Sequence, residues 1–559
     1  MSRGSAIALL VVLGAGAFLV GLELMITAVA LPAIVVDLAS WSELRKASWI
    51  INAYLLTSVV TMPLAGRLSD RWGVRRPFLV GLATFGIGSA LAGASQSLDW
   101  LIAARVVQAI GGGILIPVAT AAASHLFEHE ARPRALGVIG ALTFLGMAAG
   151  PFAGAWILGS IHPEAALPGL ASGGSPLGVA FDAAWRYVFY LNVPIAIGGL
   201  GVGWAASVGW DPARGAARVD ILGAALATAG LATLLVGLTL GGSERIEGTS
   251  LDPAVAVAGL VGGGVLALVG GLWLAARRDG PVIDPAWFRS RSFSSAAIVS
   301  GLTGYGFATA IIGGAVFVDR VLYGGPDVQR VALGSLAAAT AIGALGSGFV
   351  LRLAGLRLTT LVGLGLGIAA LWRMAGWSPA TSLPEVAISL AAFGLGFGLT
   401  VTPRSTAAVE ALGRRAFGIA SATVTVARML GMAVGLAVLT AFGSTVIDRL
   451  SAQVYATPDA YKAFIPEALR NRSLEDGLVV QALEQWASGE AATILVGIFL
   501  VAAAVLAVAL VPTLALERAA VSAGAAVSAG TERTGAGRTG AHGAAQEDED
   551  DGDAPATAF

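Results

Sequence analysis

The chain has 559 residues, 56% of them hydrophobic and only 12% charged, with 76 glycines and a mean hydropathy of +0.79. Charged residues make up roughly a quarter of an ordinary soluble domain, so the composition excludes a water-soluble enzyme of two or three domains and points to a polytopic membrane protein. A net charge of −1 leaves no basic field for nucleic acid, and the lack of cysteine excludes a disulfide framework, a thiolate nucleophile and any cysteine-held zinc or iron–sulfur site.

The chain opens with Arg3 and an apolar run that continues past Ala30. This run exceeds the apolar segment of a secretory signal and is read as a retained first span. Charges then divide the sequence into fourteen apolar runs: 6–36, 48–66, 77–98, 100–124, 135–161, 187–210, 221–242, 253–276, 292–318, 331–351, 358–377, 386–403, 417–447 and 491–516. A transmembrane helix needs about 20 mostly apolar residues, so fourteen would use about 280, half the chain. Runs of this length are too long for barrel strands, and in hydrocarbon the backbone must satisfy itself, so they are taken as helices. Two external segments stand out by length. Residues 159–186 are rich in Pro, Gly and Ala and read as an irregular loop. Residues 444–490 carry apolar side chains at helical spacing (Val446, Leu450, Val454; Val479, Leu483, Trp486), so both flanking helices are expected to continue beyond the bilayer. The tail 517–559, with an acidic run from Glu547 to Asp551, reads as a disordered cytoplasmic segment.

With the N-terminus inside, the inner loops hold seventeen arginines, Arg404 counted among them, against eleven basic residues in the outer loops. The positive-inside rule then places both termini in the cytoplasm of a multi-pass protein of the cell membrane. The expected organisation is an N-terminal six-helix bundle (1–210), a linker with two inserted helices (211–291) and a C-terminal six-helix bundle (292–516) that carries the long external loop 444–490.

After the second span comes a segment with Gly66, Asp70, Arg71, Gly73, Arg75 and Arg76, read as a loop. Glycine lets helices approach and turn tightly, and an aspartate among arginines can cap a neighbouring helix N-terminus. This segment resembles motif A of the major facilitator superfamily. Arg105, Gln108 and Gly111–Gly113 resemble its motif B, with Ala109 where glycine is usual. Gly137, Gly146, Gly150, Pro151 and Gly154 resemble motif C, the antiporter motif, with Ala155 in place of a last glycine. The stretch from Trp185 and Arg186 to Asn192 and Pro194 is similar to the fourteen-span drug:proton antiporters, as is Leu22 to Pro32 with Glu23 where Asp is commoner. The resemblance runs from about 20 to 445. It implies an all-α major facilitator fold of two six-helix bundles plus two inserted helices. Independently, the halves echo each other: Leu145–Gly150 recurs as Leu430–Gly435, and Gly66, Gly73 and Arg75 recur as Gly348, Gly355 and Arg357, while the repeat of Asp70 is Arg352.

Charges inside spans are costly, about 2.5 to 3.5 kcal/mol each on insertion scales. Glu23, Arg105 and Arg428 sit well inside. An acid between helices can be kept near neutral by desolvation and re-ionised when an arginine approaches, and the resemblance associates the first-span acid and the fourth-span arginine with proton coupling. Asn52, Gln108 and Asn192 are the polar side chains expected at the cavity. Other patterns carry less. His125, Glu128 and His129 fit a zinc-peptidase spacing but lie at a charged span end and read as a solvated interfacial helix. Gly394, Gly396 and Gly398 imitate a dinucleotide loop without a strand before them and read as helix packing. The two lysines, Lys46 and Lys462, are each followed by Ala, so there is no Walker A loop.

The sequence therefore reads as a proton-coupled exporter of hydrophobic or amphipathic small molecules working by alternating access, not an enzyme, with no cofactor and no metal. A lipid or glycolipid exporter of the same fold is the alternative, favoured by 444–490; a membrane metallopeptidase using His125 and His129, or a sensor, stands outside transport. The expected partners are the lipid bilayer and a small amphipathic substrate, with a periplasmic or lipoprotein partner left open.

Overall fold

The computed structural model describes residues 3–38, 47, 49–127, 131–162, 178, 180–208, 221–240, 252–275, 277, 284–413, 416–454, 457, 459–473 and 476–516. Most of the expected 159–186 loop and all of the 517–559 tail lie outside these residues. Among the described residues every long element is a helix: α1 (Arg3–Leu38), α2 (Trp49–Trp72), α3 (Arg75–Gly93), α4 (Leu98–Leu126), α5 (Ala131–Ser160), α6 (Ala184–Ala206), α7 (Ile221–Leu240), α8 (Pro253–Ala275), α9 (Arg291–Val316), then a 49-residue helix Pro326–Met374, and α12 (Leu383–Leu412), α13 (Phe417–Val454) and α14 (Gly477–Val508). At 1.5 Å per residue the 49-residue helix would be about 74 Å long, more than twice a hydrocarbon core of about 30 Å. It is divided at Gly355, whose φ of 75° no helix interior holds, into α10 and α11. Twelve helices are long and apolar enough to cross a membrane, counting the divided helix once. That count is of the described residues, and it leaves out α7, whose apolar stretch Thr228–Leu238 is shorter.

Glycine at the helix contacts explains why the two halves share sequence. In lipid, packing of small residues rather than burial of apolar surface draws helices together. A Cβ on Gly150 would stand 2.6 Å from the Met25 Cβ, and one on Gly146 would collide with the Phe18 carbonyl, so α5 lies directly on α1. The repeat does the same in the second half: Gly435 faces the Tyr305 carbonyl at 2.9 Å and Gly431 meets that of Gly301, so α13 lies on α9. Gly394, Gly396 and Gly398 likewise seat α12 against α10 and α11.

Three boundaries differ from the sequence reading. The segment Gly66–Trp72 is helical, not a loop, because the turn is deferred to Gly73 at φ 79°. Residue Arg404 is not in an inner loop: α12 continues to Leu412, and the arginine is buried within it, satisfied by polar groups of its own and neighbouring helices. Residue Arg186, counted as external, is buried at the start of α6, where it bonds Asp182 at 2.9 Å and the Gly93 carbonyl at 3.0 Å.

The expected continuation of the last two helices is present. With 38 residues α13 is about 57 Å long, and between its end at Val454 and Gly477 lie two short 3-10 turns, 460–464 and 467–469. This tip has its own small core of Val454, Tyr461, Ile465 and Val479, with the Phe464 ring 4.6 Å from that of Trp486. Asp476 caps α14 by accepting from the Leu478 N–H at 2.9 Å, and this bond with the Arg472 guanidinium holds its carboxyl below the ordinary value. The inserted helices α7 and α8 pack through Gly230 and Gly264, whose added Cβ atoms would stand 2.9 Å and 2.5 Å from the Leu268 and Leu234 amide nitrogens.

A side chain at Gly431 has nowhere to go, whereas Gly259 has open space around it. Overpacking a tight contact costs about 1–3 kcal/mol. Gly431→Val should therefore lower the midpoint of thermal unfolding by several degrees and reduce the folded yield, with Gly259→Val close to wild type. Equal melting of the two variants in the same detergent would contradict this packing account.

Candidate functional site

One carboxylate organises the first half. Glu23 on α1 is fully buried. Its Oε1 accepts from the Thr27 hydroxyl at 2.8 Å and from the Arg105 guanidinium of α4, and its Oε2 accepts from the Asn192 side-chain amide of α6 at 2.6 Å. Arg105 also donates to the Ile50 carbonyl of α2 at 3.0 Å and to Gln108 Oε1 at 2.6 Å, and Gln108 donates to the Ser89 hydroxyl of α3 at 2.8 Å. The guanidinium lies 4.2 Å above the Tyr54 ring. Five helices thus meet through one ion pair. A buried pair repays its desolvation only when its remaining hydrogen-bonding positions are filled, and here nearly all are. Two atoms beside it are not: the Asn192 Oδ1 and the Tyr54 hydroxyl are buried without a partner among the described residues.

Between the halves lies a cavity of about 370 Å³, within the range of ligand pockets. Its wall is built from α1, α2, α5, α7, α9 and α13, and Asn52 is the one polar side chain among the described residues that line it. Met25, Met147, Met429 and Met432 contribute adaptable thioether surface. Leu235 and Leu238 bring the inserted helix α7 into the wall, where Leu231 and Leu235 pack with Val59 of α2 and Met429 of α13.

One end of the two halves is held shut. Asp70, at the last turn of α2, accepts from the backbone N–H groups of Gly418 at 2.7 Å and Ile419 at 3.0 Å, the first turn of α13. A carboxylate at a helix N-terminus answers both unpaired amides and the positive end of the dipole. A Cβ on Gly66 would stand 2.6 Å from the Gly418 carbonyl, and one on Gly348 would stand 2.9 Å from the Pro133 carbonyl, so α2 meets α13 and α10 meets α5 at this same end. Of the motif arginines, Arg75 donates to Ser207 at 2.8 Å, whereas Arg71 and Arg76 are exposed.

The structure thus brings together Glu23, Arg105, Gln108 and Asn192, and places Asn52 apart from them in the cavity wall. Gly146, Gly150 and Gly154 pack α5 on α1, with Pro151 in the same helix. Arg428 joins none of these. It lies on α13 with its guanidinium 5.8 Å from the Phe144 ring. Sequence reasoning missed Arg404, Tyr54, Thr27 and Ser89. Arg404 carried a signal, since an arginine within reach of Ser300 and Thr303 on α9 can be paid in hydroxyl contacts, but only the fold brings α9 to it. Residue His125 packs against the Phe417 ring at 4.9 Å; Glu128 and His129 lie outside the described residues, and no group of three metal-ligating side chains occurs among the described ones.

Two related helix bundles enclosing an apolar cavity, with one end closed and an ion pair buried in one bundle, define a multi-pass membrane transporter rather than an enzyme. The family model for the Major Facilitator Superfamily matches residues 13–436, and the chain belongs to that superfamily. It is 30% identical over 431 residues, 75% of this chain and 76% of the other, to a protein named triacylglyceride transporter from Mycolicibacterium hassiacum. It is 33% identical over 420 residues, 72% of this chain and 77% of the other, to a probable triacylglyceride transporter of Mycobacterium leprae. The crystal structure of the human organic anion transporter MFSD10 superposes with a TM-score of 0.56 at 16% identity, over 90% of this chain and all of that one, a likeness of fold.

Replacing Asp70 by Asn keeps the shape and removes the charge from two bonds to amides. Hydrogen bonds to charged groups are worth about 1.5–3 kcal/mol, so the closed end should open about tenfold more often. In oriented vesicles, labelling of a cysteine placed at Asn52, in a chain with no other thiol, should rise by that factor when an impermeant maleimide is added at the Asp70 side. Unchanged labelling would show that Asp70 does not hold this end.

Proposed function

We propose that the protein exports an apolar lipid of the neutral glyceride type from the cell membrane, driven by protons entering in exchange. The observation that carries this reading is the cavity wall, which offers aliphatic and thioether surface and a single amide, Asn52. A sugar or phosphate would leave its polar groups unpaired there at a cost of several kcal/mol, whereas an acyl chain would lose nothing. The names of the relatives favour the same substrate class. The long α13 and α14 add to it, because a lipid leaving the outer leaflet needs cover for its chains beyond the bilayer. On this reading the Asp70 end faces the cytoplasm, as the positive-inside balance of the loops suggests.

Glu23 is the proposed proton carrier. Deprotonated, it is held by Arg105 and Asn192. Protonation removes the charge that Arg105 answers and frees α1, α4 and α6 to shift against one another, and the Asn192 Oδ1 and Tyr54 hydroxyl, without a partner among the described residues, can hydrogen-bond a water that brings the proton to Glu23. Glu23→Gln should abolish export driven by a pH gradient in proteoliposomes while leaving lipid binding within about threefold of wild type, because the cavity wall is untouched. Uphill transport by the variant would remove Glu23 from the coupling role.

A hydrophobic or amphipathic drug is the other substrate class these walls admit. Deleting 452–474 removes the tip and leaves the lengths of α13 and α14 within the bilayer unchanged. Lipid efflux should then fall by at least about tenfold, with efflux of an amphipathic dye little altered. The reverse outcome, intact lipid efflux with lost dye efflux, would contradict the lipid reading.

A further inference from the structure

The second half holds two arginines in its interior that no acid among the described residues answers, Arg404 buried and Arg428 half-buried. Arg404 of α12 is 2% exposed, and its guanidinium donates to the Thr400 carbonyl at 2.8 Å and to the hydroxyls of Ser300, at 3.3 Å, and Thr303, all neutral groups. Arg428 of α13 makes no hydrogen bond to any described residue, and its Nε is buried without an acceptor. Arg428 is close enough for its like charge to act on Arg404. They flank one aromatic cluster: Phe144, Phe307 and Phe397 pack at 4.2–5.6 Å, with Arg428 5.8 Å from Phe144 and Arg404 5.3 Å from Phe397. None of these rings or arginines lines the cavity, but residues one turn along the same helices do: Met147 from Phe144 and Met432 from Arg428.

The contrast with the first half is direct. Arg105 is as buried as Arg404 but has Glu23. A cation held in the interior without an acid is costly, and a second cation within reach of its field adds to the cost. The planar guanidinium forks match a carboxylate or phosphate in two parallel bonds.

We infer that Arg428 and Arg404 form a binding site for an oxyanion, a carboxylate or phosphate, near the cavity, supplied either as the head of an acidic amphiphile whose chain lies along the apolar wall or as a free inorganic anion. Arg428 makes the first contact and Arg404 supplies the charge behind it. An acidic amphiphile would be a ligand additional to the neutral lipid of the proposed function, and its binding is measured without transport.

The test uses the purified full chain in uncharged detergent at low ionic strength, with three probes: oleate, inorganic phosphate and monoolein, which has the same acyl chain without the charge. Wild type should bind oleate at least about tenfold more tightly than monoolein, the worth of one charge-assisted bond. Arg428→Gln should bring the two affinities together, and Arg428→Lys should retain part of the difference. Phosphate that competes with oleate marks a site open to free anions; oleate binding that phosphate does not displace and Arg428→Gln abolishes marks the headgroup as the source. Both support the inference. Equal affinity for oleate and monoolein together with no phosphate binding would overturn it, as would anion binding unchanged by Arg428→Gln. Arg404→Gln is a secondary variant because its side chain is wholly buried; the Arg428 variants decide the question if it does not fold. Failure of anion binding with intact export of neutral lipid would refute this site and leave the transport reading standing.

Discussion

The contact on which the architecture turns is the one between the Asp70 carboxylate and the first two free amides of α13. It joins a helix of the first half to a helix of the second at one end only, and the cavity lies further along the same two helices, at residues 51–59 and 429–437. The contact has two properties that a gate needs. It is strong, because charge, dipole and unpaired N–H groups act together, and it is breakable, because every group in it can be answered by water once the helices part. The glycines at 66 and 418 set its geometry by letting the backbones come close enough for the carboxylate to reach.

The halves are repeats in packing but not in charge. Glycines at matching positions lay α5 on α1 and α13 on α9, and the turns at Gly73 and Gly355 share a positive φ. Yet where the first half has Asp70 the second has Arg352, a cation that the positive end of a helix dipole does not favour. Among the described residues, the acid contact to helix amides at the closed end is the one between Asp70 and α13. The interiors diverge in the same sense. The first half pairs its buried arginine with Glu23, and the second leaves Arg404 and Arg428 to hydroxyls, carbonyls and aromatic faces. Fold symmetry with charge asymmetry leaves a buried ion pair in one half and, in the other, two interior arginines that no acid among the described residues answers.

The inserted pair is part of this arrangement. Helix α7 has leucines in the cavity wall and packs where α2 and α13 would otherwise leave apolar surface to lipid. Its partner α8 exposes Leu266, Val269 and Trp273, the pattern of a helix with one face left to the hydrocarbon. Beyond the family match, which ends at residue 436, the tip between α13 and α14 is stapled by the Phe464–Trp486 pair, and α14 is tied to the segment after α9 by the Tyr323 hydroxyl, which donates to the Glu484 carbonyl at 2.7 Å.

By itself the sequence determined the all-helical membrane class, the positions of the crossings, the motif glycines and the expensive charges Glu23 and Arg105, because hydrophobic run length and the cost of a charge in hydrocarbon are local properties. The same locality explains the extension, where helical spacing of Val454, Val479, Leu483 and Trp486 was visible. What only the tertiary structure decided depends on partners far apart in the chain. That Asn192 holds Glu23 directly and Gln108 holds it through Arg105 needs α4 and α6 beside α1. That Arg404 belongs to the interior needs α9 to supply its hydroxyls; read locally, an arginine near the end of an apolar run is a loop cation. That α7 lines the cavity had no signal at all, since a helix apolar on every side carries no mark of which face meets protein and which meets lipid.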